Sequence, residues 1–242
     1  MDEMCVVITM AGLGSRFRNA GFKIPKYMIT AKNKTLFEWS MESLLDYNSN
    51  VYKYVFLVQA RDNASDFIRD KCKYYNIKNL EIIEIDYPTD GQATTAMLAI
   101  PFCIIEKPVL IYNIDTYIEP FELKLIDISG DGHIPCFHAE GDHWSFVKLD
   151  KNGNVIEVKE KNRISDYCSL GAYYFSSAKL FNDLYNEYFT KENMHDDMKE
   201  KYIAPLYNLM IKKKMSVTMI TIKSSKVHVL GTPEELKIFI NE

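Results

Sequence analysis

The chain has 242 residues, of which 47% are apolar and 13% aromatic, while glycine (10) and proline (8) are sparse. Such a composition fills a sizeable core and excludes a disordered chain, and the length suits one larger α/β domain better than two small ones. The formal net charge of −4 argues against a nucleic-acid binder, which ordinarily carries a basic excess. It leaves phosphorylated small molecules open, since these need only a local cluster of donors and cations.

Five cysteines (Cys5, Cys72, Cys103, Cys136 and Cys168) are scattered without a CxxC or metal-ligand spacing, the pattern of reduced thiols in a cytoplasmic protein. No stretch approaches the roughly 18 apolar residues of a membrane span. The first apolar run, MCVVITMAG, meets a glycine after a handful of residues and has no basic segment before it. It therefore reads as a strand and not as a signal peptide.

In chain order, Cys5–Met10 is a continuous apolar run, as expected for a central parallel strand covered on both faces. Leu36–Leu45 spaces its apolar residues at helical intervals, Tyr54–Gln59 is a second strand, and Asn63–Tyr75 is a helix beginning near Asn63 or Ser65. Leu80–Ile85 is strand-like, Thr94–Ile105 is a helix interrupted near Pro101, and Pro108–Ile114 is a strand ending in a polar cluster. This alternation predicts right-handed βαβ crossovers and an open, mainly parallel sheet. The second half differs. Trp144–Leu149 and Val155–Glu160 flank the turn-rich DKNGN of 150–154, which suits a hairpin. Ala172–Phe175 and Val217–Ile222 are further strands, and Ser177–Tyr188 and Tyr202–Lys213 are helices. No repeat, linker or composition break appears, so residues 1–242 are expected to form one domain.

The first strand runs into Ala11-Gly12-Leu13-Gly14-Ser15-Arg16, and Pro25-Lys26 follows nine residues after Arg16. A loop at the carboxyl end of a parallel strand lies in the crevice where such sheets bind ligands. Glycines there let backbone amides approach phosphate oxygens, while Arg16 and Lys26 can neutralise charge developing on a transferring phosphoryl group. The spacing is not that of a Walker loop, and Phe17 stands where Gly-x-Gly-x-x-Gly needs its third glycine. Asn113-Ile114-Asp115 ends another strand and projects a carboxylate toward the same crevice, where it could hold Mg²⁺ against phosphate oxygens. Gly91-Gln92 opens a helix, with an amide that can donate to and accept from a base.

These residues resemble the signature of the sugar-phosphate nucleotidylyltransferases, and the likeness runs from Val6 to about Leu236. It is strongest toward short members tied to bacterial capsule biosynthesis, some of them labelled glycosyltransferases. The resemblance implies an α/β, Rossmann-like (GT-A-like) fold: a mixed, mainly parallel sheet flanked by helices, with a small hairpin-containing acceptor subregion. It implies transfer of NMP from an NTP (CTP, UTP or dTTP) to a phosphorylated acceptor with release of pyrophosphate. Arg16 and Lys26 would be catalytic. Ala11, Gly12, Leu13, Gly14, Ser15, Gly91, Gln92 and Asn113 would bind the nucleotide, Glu160, Lys161 and Gly171 the acceptor, and Asp115 the metal, Mg²⁺. The family's second metal-binding aspartate, two residues before the glycine of Gly231-Thr232-Pro233-Glu234, is replaced by Val229. A second carboxylate is therefore missing or supplied from elsewhere. His133, His138, His143 and His195 form no HExxH or triad pattern and are expected to be surface or loop residues. Two rivals stand beside this reading: a GT-A glycosyltransferase, which would bind a finished nucleotide-sugar, and a non-catalytic nucleotide-binding protein. Neither nucleic acid nor a membrane is an expected partner.

Overall fold

The computed structural model describes residues 3–190 and 200–242. His195 lies outside the described residues. Strand β1 (Met4–Thr9) is buried along almost its whole length, because it packs on both faces. Met4, Val6 and Ile8 enter one apolar cluster, and Cys5 and Val7 enter another on the opposite side, the two-residue period of a pleated strand. Helix α1 (Ser15–Asn19) follows the glycine loop, then the short pair β2 (Thr30–Ala31) and β3 (Lys34–Thr35) leads into α2 (Leu36–Glu42). Next come β4 (Val51–Gln59), α3 (Ser65–Tyr74), β5 (Leu80–Ile85), α4 (Gln92–Met97), β6 (Val109–Asn113) and β7 (Thr116–Ile118). The second half runs β8 (Gly132–His138), β9 (Ser145–Leu149), β10 (Val155–Glu160), β11 (Tyr167–Ser169), β12 (Ala172–Phe175), α5 (Ala178–Tyr188), α6 (Leu206–Lys212), β13 (Val217–Thr221), β14 (Val227–Val229) and α7 (Pro233–Asn241).

Ten strands join in one sheet, in the order β10-β9-β11-β8-β12-β6-β1-β4-β5, with β13 parallel to β8. The β5-β4-β1-β6 portion is parallel, and only β10, β11 and β12 oppose the direction of the other strands in this sheet. From β1 the chain passes to β4 on one side and later to β6 on the other. The ends of β1 and β6 thus form a topological switch point, where open α/β sheets bind ligands. No helix among the described residues is long and apolar enough to cross a membrane.

Several elements differ from the sequence reading. The helix expected from Thr94 begins at Gln92 and ends at Met97, with a separate 3₁₀ turn over Ile100–Phe102, since Pro101 lacks the amide a continuing helix needs. The helix expected from Tyr202 begins at Leu206, with Pro205 as its N-cap. His133 is no loop residue: it is buried in β8, bonded to Thr218 at 2.8 Å, and burial pushes its imidazole down to about 4. His138, at the exposed end of β8, fits the surface expectation.

Candidate active site

A cleft of about 480 Å³ opens at the carboxyl ends of β1 and β6. On one wall the glycine loop leaves β1. Its course is fixed by the buried side chain of Gln59, the last residue of β4, whose Nε2 donates to the Ala11 carbonyl at 2.7 Å. Gln59 carries no signal in the sequence reading, because its role arises only when β4 pairs with β1. Ala11, Gly12, Leu13 and Arg16 line the cleft. Gly14 and Ser15 do not: Gly14 is the left-handed N-cap of α1 and Ser15 is that helix's first residue. Arg16 is exposed beside the opening.

Lys26 and Asp115 meet at the floor. Pro25, extended at ψ 143°, precedes a 3₁₀ turn over Lys26–Met28, anchored by the buried ring of Tyr27. This sends Lys26 Nζ to within 2.7 Å of Asp115 Oδ2. Burial would raise the Asp115 carboxyl, but the Lys26 ammonium, the residue's own backbone amide and the nearby Arg16 charge outweigh it and hold the group below its ordinary value. Asp115 stays ionised and keeps a third of its side chain open to the cleft, as a ligand for a cation must.

At the next position along the strand ends, the Gln92 amide donates to Asn113 Oδ1, to which Thr9 Oγ1 also donates at 3.2 Å. The side chain expected to read a base is thus tied in this state to the ends of β1 and β6. Gly91 also meets a packing constraint. Its φ is 144°, and a Cβ there would meet the Lys201 backbone at 2.4 Å. The absent side chain lets the chain pair with Lys201 through Lys201 N to Asp90 O (2.7 Å) and Ala93 N to Lys201 O (2.9 Å). Gly171, at φ 75°, likewise admits the Asn113 side chain, which a Cβ would meet at 2.6 Å.

The opposite wall comes from the antiparallel half. Glu160 ends β10, in register with Ser145 of β9. The Ser145 hydroxyl donates to Glu160 Oε2 and lies 3.1 Å from the Tyr173 hydroxyl. Burial holds the Glu160 carboxyl above its ordinary value, the Ser145 bond and Lys161 offsetting only part of this. Lys161 adopts φ 52°, a conformation that costs a non-glycine residue of order 1–3 kcal/mol and clusters at functional sites. Its ammonium sits 4.5 Å over the Tyr202 ring and 3.5 Å from Glu200. Trp144, with the His143 ring tilted against it at 4.4 Å, and Tyr202 also line the cleft. The sequence reading gave none of these three a part in the site: it put His143 on the surface or a loop, Trp144 in a strand and Tyr202 in a helix, and none of those placements points to a cleft. The expected site residues other than Gly14 and Ser15 all face this one cleft.

Comparison with protein-family models and with curated proteins gave no match. Among solved structures, the nucleoside-diphosphate-sugar pyrophosphorylase from Vibrio cholerae RC9 is 35% identical, aligns over 98% of this chain and all of its own, and superposes with a TM-score of 0.89. The chain belongs to the sugar-phosphate nucleotidylyltransferase family. The inositol-1-phosphate CTP transferase from T. maritima, at 15% identity, shares the fold with a TM-score of 0.75 over 100% of this chain and 98% of its own. The shared fold accounts for the mixed, mostly parallel sheet.

Proposed function

We propose that this chain transfers a nucleotidyl group from an NTP to a phosphorylated small molecule, a sugar 1-phosphate or a phospho-alcohol or amino compound, and releases pyrophosphate. The observation that carries this reading is the 2.7 Å pair of Lys26 and Asp115 beside the glycine loop, in the cleft that Glu160 and Lys161 also line. A phosphate acceptor is already an anion, so no protein nucleophile is required and the work is positioning and charge neutralisation. The amides of residues 11–13 and the Arg16 guanidinium bind the triphosphate, with Gln92 and Asn113 on the side of the nucleoside. Lys26 exchanges its carboxylate partner for the oxygens of the reacting phosphate. Glu160, Lys161 and the backbone at Gly171 hold the acceptor. Mg²⁺ at Asp115 would supply further neutralisation of phosphate charge. CTP, UTP and dTTP are the preferred donors in this reading, and the product would feed capsule or other surface polysaccharide synthesis in a bacterial cytoplasm.

Pyrophosphate release, measured for four NTPs against a panel of phosphorylated metabolites, tests the assignment. One pairing should give turnover, and Lys26→Ala should lower it by roughly 10²–10³-fold with the fold intact. A near-wild-type rate in that variant would refute the reading, and transfer from a nucleotide-sugar without pyrophosphate would favour a glycosyltransferase.

A further inference from the structure

Val229 faces the cleft from β14, opposite Thr116 of β7, and offers no oxygen where the family has its second carboxylate. Six residues on, Glu235 occupies the third position of α7, from which a glutamate ordinarily reaches back to the N-cap amide. That return bond is absent. Thr232 Oγ1 accepts from the Glu235 amide at 3.1 Å, but the Glu235 carboxylate turns into the cleft wall instead. Its Oε2 is buried, and among the described residues it is the one buried side-chain oxygen or nitrogen without a hydrogen-bond partner. A buried polar oxygen left without a partner is unfavourable, and a bound cation would satisfy it.

The neighbour supplies the rest. A Cβ on Gly231 would stand 3.4 Å from Glu235 Oε2 and also 3.4 Å from Asp115 Oδ2. The two carboxylates therefore flank one point, on the open side of a residue that has no side chain to fill it. Among the described residues no three His, Cys, Asp or Glu side chains converge on a metal cage. This donor set suits Mg²⁺, which takes one or two carboxylates and completes its shell with water and substrate phosphates.

We infer that Glu235 is the second carboxylate of the divalent-cation site, replacing from helix α7 the ligand that Val229 does not provide. The use of the ion rests on the nucleotidyl-transfer reading; its binding does not. The site moves from the strand to the helix that follows it, and the Gly-Thr-Pro turn carries the new ligand to the same place.

Mn²⁺ titration of the intact protein, followed by the electron paramagnetic resonance of the free ion, tests this independently of turnover. The wild type should bind one Mn²⁺. Glu235→Gln should weaken binding at least tenfold while its unfolding temperature stays level or rises, and Val229→Asp in that background should restore most of the affinity. Equal affinity in Glu235→Gln, or no Mn²⁺ binding by the wild type, overturns the inference. Loss of binding in Glu235→Gln alongside a wild type that releases no pyrophosphate supports the ion site and refutes the transfer reading. Pyrophosphate release with unchanged Mn²⁺ affinity in the variant does the reverse.

Discussion

Two helices of this protein open on the same four-residue pattern, and they use it in opposite ways. Thr35-Leu36-Phe37-Glu38 begins α2 and closes a full capping box. Thr35 Oγ1 accepts from the Glu38 amide at 3.3 Å, and Glu38 Oε2 accepts from the Thr35 amide at 2.8 Å. Lys71 adds an ion pair to the same oxygen at 2.9 Å. Thr232-Pro233-Glu234-Glu235 begins α7 with only the threonine half, and Glu235 is left beside another carboxylate. Local sequence thus starts both helices, while the use of the glutamate depends on which charge the fold brings near it. A local bond worth part of the roughly 0.5–2 kcal/mol of a good cap is forgone at the cleft and kept at the start of α2.

The largest expected contrast is in the metal-dependent rate. Glu235→Gln should lower turnover in Mg²⁺ at least tenfold, whereas Glu38→Gln should leave it within twofold, both assayed at saturating nucleotide. A comparable loss in the two variants would show that α7, like α2, needs its glutamate only as structure. Next comes stability, where the order reverses. Glu38→Ala should cost about 1–2 kcal/mol, or about 2–8 °C in unfolding temperature for a chain of this size, and leave Mn²⁺ affinity unchanged. Calorimetry that found Glu235→Ala the more destabilising of the two would remove the distinction.

How much of this was readable beforehand depends on what each residue touches. Strands β1, β4, β5 and β6 were legible because they are buried on both faces or alternate with helices, so hydrophobic runs mark them directly; Leu80–Ile85 was placed without error, whereas the two-residue strands β2 and β3 leave no such run. Strand β8 was missed. Its sequence, GHIPCFH, begins with glycine, contains proline and carries two histidines, all poor strand signals. It becomes a strand because β11, β12 and β13 pair with it. In the cleft, the shared placement of Ala11–Leu13, Lys26 and Asp115 was legible because a glycine loop and a carboxylate at strand ends and a Pro-Lys pair are local signals. Gln59, Trp144 and Tyr202 were not, since their roles depend on distant pairing. Glu235 is the clearest case: Thr-Pro-Glu-Glu announces a helix start, and nothing in that string says that the second glutamate will face Asp115.

A smaller effect separates the two glutamates by pH. Burial would raise the Glu38 carboxyl, but the Thr35 amide and hydroxyl together with Lys71 outweigh it and hold it below its ordinary value. A carboxyl depressed in the folded chain contributes stability above its unfolded value, near 4.3, and loses it as pH falls through the folded value. The gap in unfolding temperature between wild type and Glu38→Gln should therefore be full at neutral pH and shrink below about pH 4.3. A gap that widened on acidification would contradict the cap's electrostatic contribution.

The smallest change addresses the point between the two carboxylates. The backbone at Gly231 lies outside the left-handed region, and an added methyl would meet its nearest neighbours at 3.4 Å, an ordinary contact. Gly231→Ala should therefore alter stability by less than about 0.5 kcal/mol, as for a substitution that breaks no cap or core packing. Yet that methyl would enter the space between Asp115 and Glu235, where the inferred ion would bind, so Mn²⁺ affinity should fall severalfold while the circular dichroism spectrum and unfolding temperature remain those of the wild type. Unchanged affinity would place the ion elsewhere around Asp115 and return Glu235 to the same standing as Glu38, a residue of the helix end and not of the site.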